Sequence, residues 1–84
     1  MEIWTVYLLI CADKKTYVGC SQDFEARLER HQHGHVEFTK SRLPVTVILT
    51  IAFRDRYKAF EFERYLKSGS GREFTRRHFL PYPP

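Results

Sequence analysis

The sequence predicts an α+β fold in which helices pack on a small sheet of three strands, in the order ββαβαα. Three observations predict it: β-branched and aromatic runs alternate with helical stretches, capping residues precede the helical stretches, and Gly or Pro separates the segments. At 84 residues and 10.1 kDa the chain is too short to bury two cores. We therefore expect residues 1–84 to form a single domain.

The N-terminal segment predicts a β-hairpin. Residues 3–10 and 16–20 are rich in strand-forming types and flank a short polar turn. With the turn centred on Lys14, Cys11 lies opposite Tyr17, and Tyr7 shares their face of the sheet. Cys20 then lies on the other face, so the two cysteines cannot form a disulfide and we expect free thiols.

The middle of the chain predicts one helix and one strand. Asp23 is a suitable N-cap for a helix over residues 24–33, and Gly34 can end it. A polar, basic connection over residues 35–44 follows. The run over residues 45–53 has strong strand propensity throughout, and we expect it to form the central strand.

The C-terminal part predicts two further helices. Asp55 can cap a helix from Arg56 to about Lys67, which a Ser/Gly stretch ends. Residues 70–73 match the Ser-x-x-Glu capping box and predict a short basic third helix. The tail, residues 81–84, is expected to be extended.

Composition limits the range of functions. The net charge of +4 and a pI near 9.3 are compatible with a polyanionic partner. No apolar run approaches the roughly 20 residues of a membrane span. Two cysteines are too few for a disulfide framework and no apolar signal segment is present, which predicts a cytoplasmic protein without membrane contact.

One carboxylate interrupts the apolar face of the predicted second helix. Ala59, Phe62, Glu63 and Leu66 share that face, whereas Glu61 lies on the opposite side. Desolvating an unpaired carboxylate costs several kcal/mol, so Glu63 must be paired, hydrogen-bonded or metal-bound. The residues alone leave an ion pair with a basic neighbour and a functional role both open.

The first helix shows the same anomaly. Phe24, Arg27, Leu28 and His31 share one face, and two of the four are polar. An Arg stem can pack on a core while its charged head reaches water, and a single His there is usually structural. Polar residues on the inner faces of two helices are harder to explain by packing alone. Arg27, His31 and Glu63 are therefore candidate site residues, together with Tyr7 and Tyr17.

The candidate residues belong to a series of short sequence elements, and these elements together cover nearly the whole chain. The elements are Thr5-Val6-Tyr7, Tyr17-Val18-Gly19, Arg27-x-x-x-His31, the basic connection Thr39–Pro44, and Ala59-x-x-x-Glu63-x-x-Leu66-Lys67 followed by Ser68–Arg72. In this order the chain resembles the GIY-YIG nuclease superfamily, in particular its small stand-alone bacterial members. The first tripeptide departs from the pattern, since only its Tyr is kept.

The resemblance implies a mostly antiparallel three-stranded sheet flanked by helices, and metal-dependent hydrolysis of DNA phosphodiester bonds. It implies that Glu63 holds one Mg²⁺ or Mn²⁺ and that Arg27 stabilises negative charge on the phosphate. Within it we assign Tyr7 as general base, Tyr17 as a ligand of phosphate or water, and His31 as a partner that tunes or relays the proton. The two tyrosine roles can be exchanged.

The expected nucleic-acid surface lies on the connection and the two C-terminal helices. Exposed aromatics such as Phe38 or Tyr82 could stack on unpaired bases, which would favour single-stranded or branched DNA in repair, restriction or DNA processing. The basic residues expected to contact phosphates are Lys40, Arg42, Lys67, Arg72, Arg76 and Arg77.

Competing interpretations are a nucleic-acid-binding module without catalysis, a zinc site at His31-x-His33-x-His35, and Cys20 as a nucleophile. The helix end at Gly34 should separate the three imidazole rings, and no partner base is evident for Cys20. The sequence leaves open whether the protein is a monomer or a homodimer.

Overall fold

The computed structural model describes residues 2–80, so the predicted extended tail lies outside the described residues. The predicted fold class and element order are confirmed. The elements are β1 (Trp4–Ile10), β2 (Thr16–Ser21), α1 (Phe24–Gln32), β3 (Thr46–Phe53), α2 (Arg56–Lys67) and α3 (Gly69–His78).

The three strands form an antiparallel sheet in the order β2-β1-β3. The prediction that the third strand is central is wrong, because β1 occupies that position. Four consecutive β1 residues, 6–9, are at most 1% exposed, whereas β3 lies at an edge and includes several exposed residues. Strand propensity reports that a segment is extended, and it does not report the position of the strand in a sheet.

The hairpin register also differs from the prediction. Tyr17 pairs with Leu9 and not with Cys11, a shift of two residues. The turn is centred on Asp13, one residue earlier than expected, and Lys14 within it adopts a left-handed conformation with φ 70°. Since a shift of two preserves the alternation of faces, Tyr7 and Tyr17 still share one side of the sheet. Both cysteines are free, as predicted.

The helices cover both faces of the sheet. Asp23 and Asp55 cap α1 and α2 through their carboxylates, as predicted. The α1 helix lies on the tyrosine face, where Phe24 packs on the Tyr7 ring with centroids 5.1 Å apart. On the other face Ala59 and Leu66 of α2 pack with Val6 in a core cluster.

The start of α3 differs from the predicted capping box. Ser68, not Ser70, is the N-cap, and its hydroxyl accepts from the Gly71 N–H at 3.1 Å. Glu73 does not close a capping box. It pairs instead with Arg76, whose Nε donates to Glu73 at 2.9 Å.

Gly71 allows this tight junction between α2 and α3. A Cβ atom at this position would overlap the Tyr65 carbonyl oxygen and lie 2.6 Å from the Leu66 Cα, and neither backbone atom can easily move. A Cβ atom on Gly69, two residues earlier, would have no neighbouring atom within 4 Å. Packing therefore requires a glycine at position 71 and does not require one at position 69.

We expect Gly71→Ala to lower the free energy of unfolding by about 1–3 kcal/mol, the usual cost of overpacking. Gly69→Ala, the matched control, should be neutral or stabilising by up to about 1 kcal/mol, because it restricts the unfolded chain without a clash. Urea denaturation monitored by circular dichroism measures both changes. Equal stability of the two variants would contradict the packing argument.

Candidate active site

The Tyr7 side chain lies at the centre of the sheet face covered by α1. Tyr7 is fully buried and pairs across the hairpin with Gly19 of β2. A Cβ atom on Gly19 would overlap the Tyr7 hydroxyl and lie 2.8 Å from its Cε1 atom, so the phenol ring lies directly over Gly19. The glycine at this position makes room for the tyrosine.

A chain of buried hydrogen bonds begins at the Tyr7 hydroxyl. Tyr7 Oη lies 3.1 Å from His31 Nε2, and His31 Nδ1 lies 2.8 Å from Thr39 Oγ1. All three side chains are fully buried. The Thr39 hydroxyl donates to the Val36 carbonyl at 3.5 Å, which leaves its oxygen to accept from His31 Nδ1. In this assignment His31 Nε2 carries a lone pair, and Tyr7 donates its proton to it.

The electrostatics of the site are consistent with this assignment. Burial lowers the pKa of His31, and the charges of Arg27 and Arg30 lower it further, so the imidazole is neutral at neutral pH. Burial and the neighbouring Tyr17 raise the pKa of Tyr7 to about 12, against a lowering effect of Arg27. The Tyr7 phenol is therefore protonated at neutral pH.

Tyr17 and Arg27 form the outer part of the site. The Tyr17 ring is partly exposed, with its centroid 4.7 Å from the His31 ring and 6.2 Å from the Tyr7 ring. Arg27 is exposed one helical turn before His31. Its charge acts on both Tyr7 and His31, so the guanidinium lies close to the buried hydrogen bond. These two residues can reach a ligand that Tyr7 cannot contact directly.

Glu63 lies on the inner side of α2, as predicted. Its side chain is 24% exposed, whereas that of Glu61 on the opposite side is 70% exposed. The ion pair that the sequence left open is present, because Lys67 Nζ lies 3.1 Å from Glu63 Oε2. The carboxylate still acts on the site, since its charge raises the pKa of Tyr7. The acid is therefore paired and also within electrostatic range of the tyrosine.

Glu63 is the carboxylate of the site that could hold a metal ion. Within residues 2–80 no group of three or more His, Cys, Asp or Glu side chains is arranged to hold a metal. Glu63 could hold a hard divalent cation as one carboxylate ligand, with water and phosphate oxygens in the other positions. The zinc interpretation fails, because both His31 nitrogens are hydrogen-bonded and His33 and His35 are exposed.

Cys20 is not placed to act as a nucleophile. It lies on the face of β2 opposite to the two tyrosines, because it pairs with Val6. Burial and the Glu63 charge raise the pKa of its thiol, which opposes formation of the reactive thiolate.

Comparisons with known proteins identify the family of this chain. A sequence profile of the GIY-YIG catalytic domain matches residues 3–77, which is most of the chain. The chain belongs to the GIY-YIG family. Related proteins carry the family name UPF0213, and these names state no activity or substrate.

Three relatives of this GIY-YIG protein show the extent of the similarity. A UPF0213 protein from Lactococcus lactis, YsiG, is 35% identical over 68 residues, which cover 80% of this chain and 65% of that protein. One from Bacillus licheniformis is 32% identical and covers 93% and 88%. The solution NMR structure of one from Bacillus halodurans matches with a TM-score of 0.60 and 28% identity, over 95% and 89%. The chain thus spans less than two thirds of the Lactococcus relative.

The six basic residues predicted to bind nucleic acid do not form one patch in this GIY-YIG fold. Three of them line a single cleft on the α2 face of the sheet: Arg42, Arg72 and Arg76. The other three lie apart from it: Lys67 at Glu63, and the exposed Lys40 and Arg77.

None of the helices described between residues 2 and 80 could span a membrane.

Sequence reasoning missed two residues of the site. Gly19 stood out only as the last residue of a tripeptide, because the predicted register placed it opposite Leu9 and the observed register places it opposite Tyr7. Thr39 gave no signal, because its contact with His31 depends on the path of the connection between α1 and β3.

We expect Gly19→Ala to displace the Tyr7 ring and break its hydrogen bond to His31. The added methyl group has no free space, so the change should lower the free energy of unfolding by about 1–3 kcal/mol. Gly69→Ala, with open space at its position, is the control. NMR shifts of the Tyr7 and His31 rings report the displacement, and unchanged shifts would contradict the role given to Gly19.

We expect a pH dependence of stability that originates from His31. Its folded pKa lies below the ordinary value of 6.5, so the unfolded chain binds the proton first as the pH falls. The stabilisation is complete above 6.5 and is lost as the pH falls through the lower folded pKa, with a slope of at most about 1.4 kcal/mol per pH unit. Urea denaturation over this range measures it.

His31→Gln should remove this component of the pH dependence, whereas His33→Gln, at an exposed position, should keep it. Identical pH profiles for the wild-type protein and His31→Gln would contradict the assignment.

Proposed function

We propose that the protein is a metal-dependent endonuclease that hydrolyses DNA phosphodiester bonds in the cytoplasm. The observation that carries the proposal is the buried hydrogen bond from Tyr7 to a neutral His31, with Arg27 and Glu63 within electrostatic range of the phenol. A purely structural site would not require a cationic and an anionic side chain beside a buried phenol.

The proton path follows from the hydrogen-bond directions. As water attacks phosphorus, its proton passes to the Tyr7 oxygen while Tyr7 gives its own proton to His31 Nε2. The bond from phosphorus to the leaving oxygen breaks, and the leaving oxygen takes a proton from solvent. The imidazolium that forms keeps its Nδ1–H bond to Thr39. Because the free protein exposes no Tyr7 surface, Tyr17 or Arg27 must move when the substrate binds. The partly exposed Tyr17 then contacts the water or a phosphate oxygen.

The charged groups have complementary roles. Arg27 would bind the non-bridging phosphate oxygens, where a planar guanidinium can donate two hydrogen bonds and offset the charge that develops. Glu63 would hold Mg²⁺ or Mn²⁺, and the bound cation would neutralise charge on the leaving oxygen. Lys67 now pairs with the Glu63 carboxylate and would be free to bind phosphate once the cation takes its place.

A second candidate is a nucleic-acid-binding module without catalysis. The observation that favours it is the ion pair between Glu63 and Lys67, which already neutralises the proposed metal ligand. Cleavage assays distinguish the two functions.

We expect Glu63→Gln to reduce cleavage by at least about 100-fold, because the amide binds the cation weakly and leaves the developing charge without compensation. The substrates are single-stranded, duplex and branched DNA, each with Mg²⁺, with Mn²⁺ and with a chelator. Glu61→Gln changes the same residue type on the exposed side of the same helix and should retain activity.

A Glu63→Gln protein with wild-type activity would exclude the metal role. Binding without cleavage in every condition would instead support the second candidate.

A further inference from the structure

A cleft of about 490 Å³ lies on the opposite side of the sheet from Tyr7. Leu8 and Val18, which pair across β1 and β2, form its floor together with Leu66 of α2. Five basic residues surround this floor: Lys14, Lys15, Arg42, Arg72 and Arg76. None of the residues lining the cleft is acidic.

A buried hydroxyl group without a hydrogen-bond partner in the described part of the chain also indicates that the cleft binds a ligand. Thr75 lines the cleft and is only 5% exposed, yet its Oγ1 has no hydrogen-bond partner among residues 2–80. Buried hydroxyl groups in folded proteins nearly always have a partner. Along α3, Thr75 lies three residues after Arg72 and Arg76 lies four residues after it, so each is one helical turn from Arg72. This hydroxyl is almost inaccessible in the free protein, so a neighbouring side chain must move before an anion held by the arginines can accept its hydrogen.

The ion pairs of Arg42 and Arg76 leave both arginines able to bind an anion. Arg42 pairs with Asp13 at 3.0 Å, and Arg76 pairs with Glu73. Both carboxylates belong to residues outside the lining of the cleft. Partly exposed ion pairs of this kind exchange readily for phosphate, because each is worth at most about 1 kcal/mol. The cleft therefore remains a site for negative charge.

Phe38 connects the cleft with the candidate active site. Its side chain lines the cleft and is 39% exposed, and its ring centroid lies 5.8 Å from that of Tyr17. The Arg42 guanidinium lies 4.3 Å from the Phe38 ring centroid. A strand with one phosphate at Tyr17 would thus pass an exposed aromatic ring before it enters the basic cleft.

We propose that this cleft binds unpaired nucleotides of the nucleic-acid strand. Their phosphates contact the basic residues and the Thr75 hydroxyl, and a base stacks on Phe38 or rests on the apolar floor. The volume lies within the roughly 300–1,000 Å³ of small-ligand pockets. The choice of a nucleic-acid strand over another phosphate-bearing ligand rests on the proposed function. The anion site itself rests on the cleft alone.

Fluorescence anisotropy with a labelled oligothymidylate of about 10 nucleotides tests the proposal. Binding is measured in the Glu63→Gln protein with a chelator, so that it does not depend on cleavage. We expect Arg72→Gln to weaken binding roughly ten-fold and to lower the slope of log K against log salt by about 0.7. Arg54→Gln removes the same charge at the opposite end of the sheet, beside the paired ends of β1 and β3, and should leave binding unchanged.

Thr75→Val separates ligand binding from packing. The substitution removes a hydroxyl that has no partner in the described part of the chain, so thermal stability should stay the same or rise. Binding of the oligothymidylate should nevertheless weaken about ten-fold. Unchanged binding would show that Thr75 is only a packing residue and would remove it from the site.

Two further results would overturn the proposal. Equal weakening by Arg72→Gln and Arg54→Gln would show that only the overall charge matters. Complete competition by an equal concentration of thymidine monophosphate would show a site for free nucleotides and not for a strand.

Weaker binding of a duplex of the same length is expected. Oligonucleotide binding at the cleft without any DNA cleavage would support this inference while the proposed endonuclease activity fails.

Discussion

The hydrogen bond between Tyr7 and His31 is the contact on which the arrangement of the site depends. It joins the central strand to the helix that covers it, and it is inaccessible to water. A buried polar atom left without a partner costs about 1–3 kcal/mol, so Tyr7, His31 and Thr39 constrain one another. Gly19 completes this unit, because only a residue without a side chain leaves room for the phenol ring.

The central position of β1 gives the two faces of the sheet different roles. Successive residues of a strand point to opposite sides, so Tyr7 faces α1 while Val6 and Leu8 face α2. The first face contains a buried polar network. The second contains the apolar cluster and the basic cleft beside it. One strand of seven residues therefore supports both the proposed catalytic groups and the proposed strand-binding cleft.

Glu63 combines an observed ion pair with a proposed functional role. A carboxylate that is 24% exposed needs compensation in the free protein, and Lys67, one turn later on α2, provides it. A flexible lysine on the helix surface is a replaceable partner, unlike a buried arginine held by several hydrogen bonds. The pair thus stabilises the acid in the free protein and is compatible with the proposed exchange of the ammonium group for a divalent cation.

Much of the fold could be predicted because the signals are local. Strand propensity, the caps at Asp23 and Asp55 and the helical periodicity each depend on residues close in sequence, and these predictions are confirmed. The register and the capping box were wrong where a local signal was ambiguous: a lysine in a left-handed conformation closed the hairpin, and Ser68 capped α3 in preference to Ser70.

The sequence by itself determined the element order, the shared face of the two tyrosines and the inward direction of Glu63, since these follow from periodicity. Only the tertiary structure decided that β1 is central, that Thr39 completes the hydrogen-bond chain, and that Arg42 joins Arg72 and Arg76 around one cleft. These contacts join residues far apart in sequence, and their free energy depends on how whole elements pack. No local pattern of residues encodes that packing.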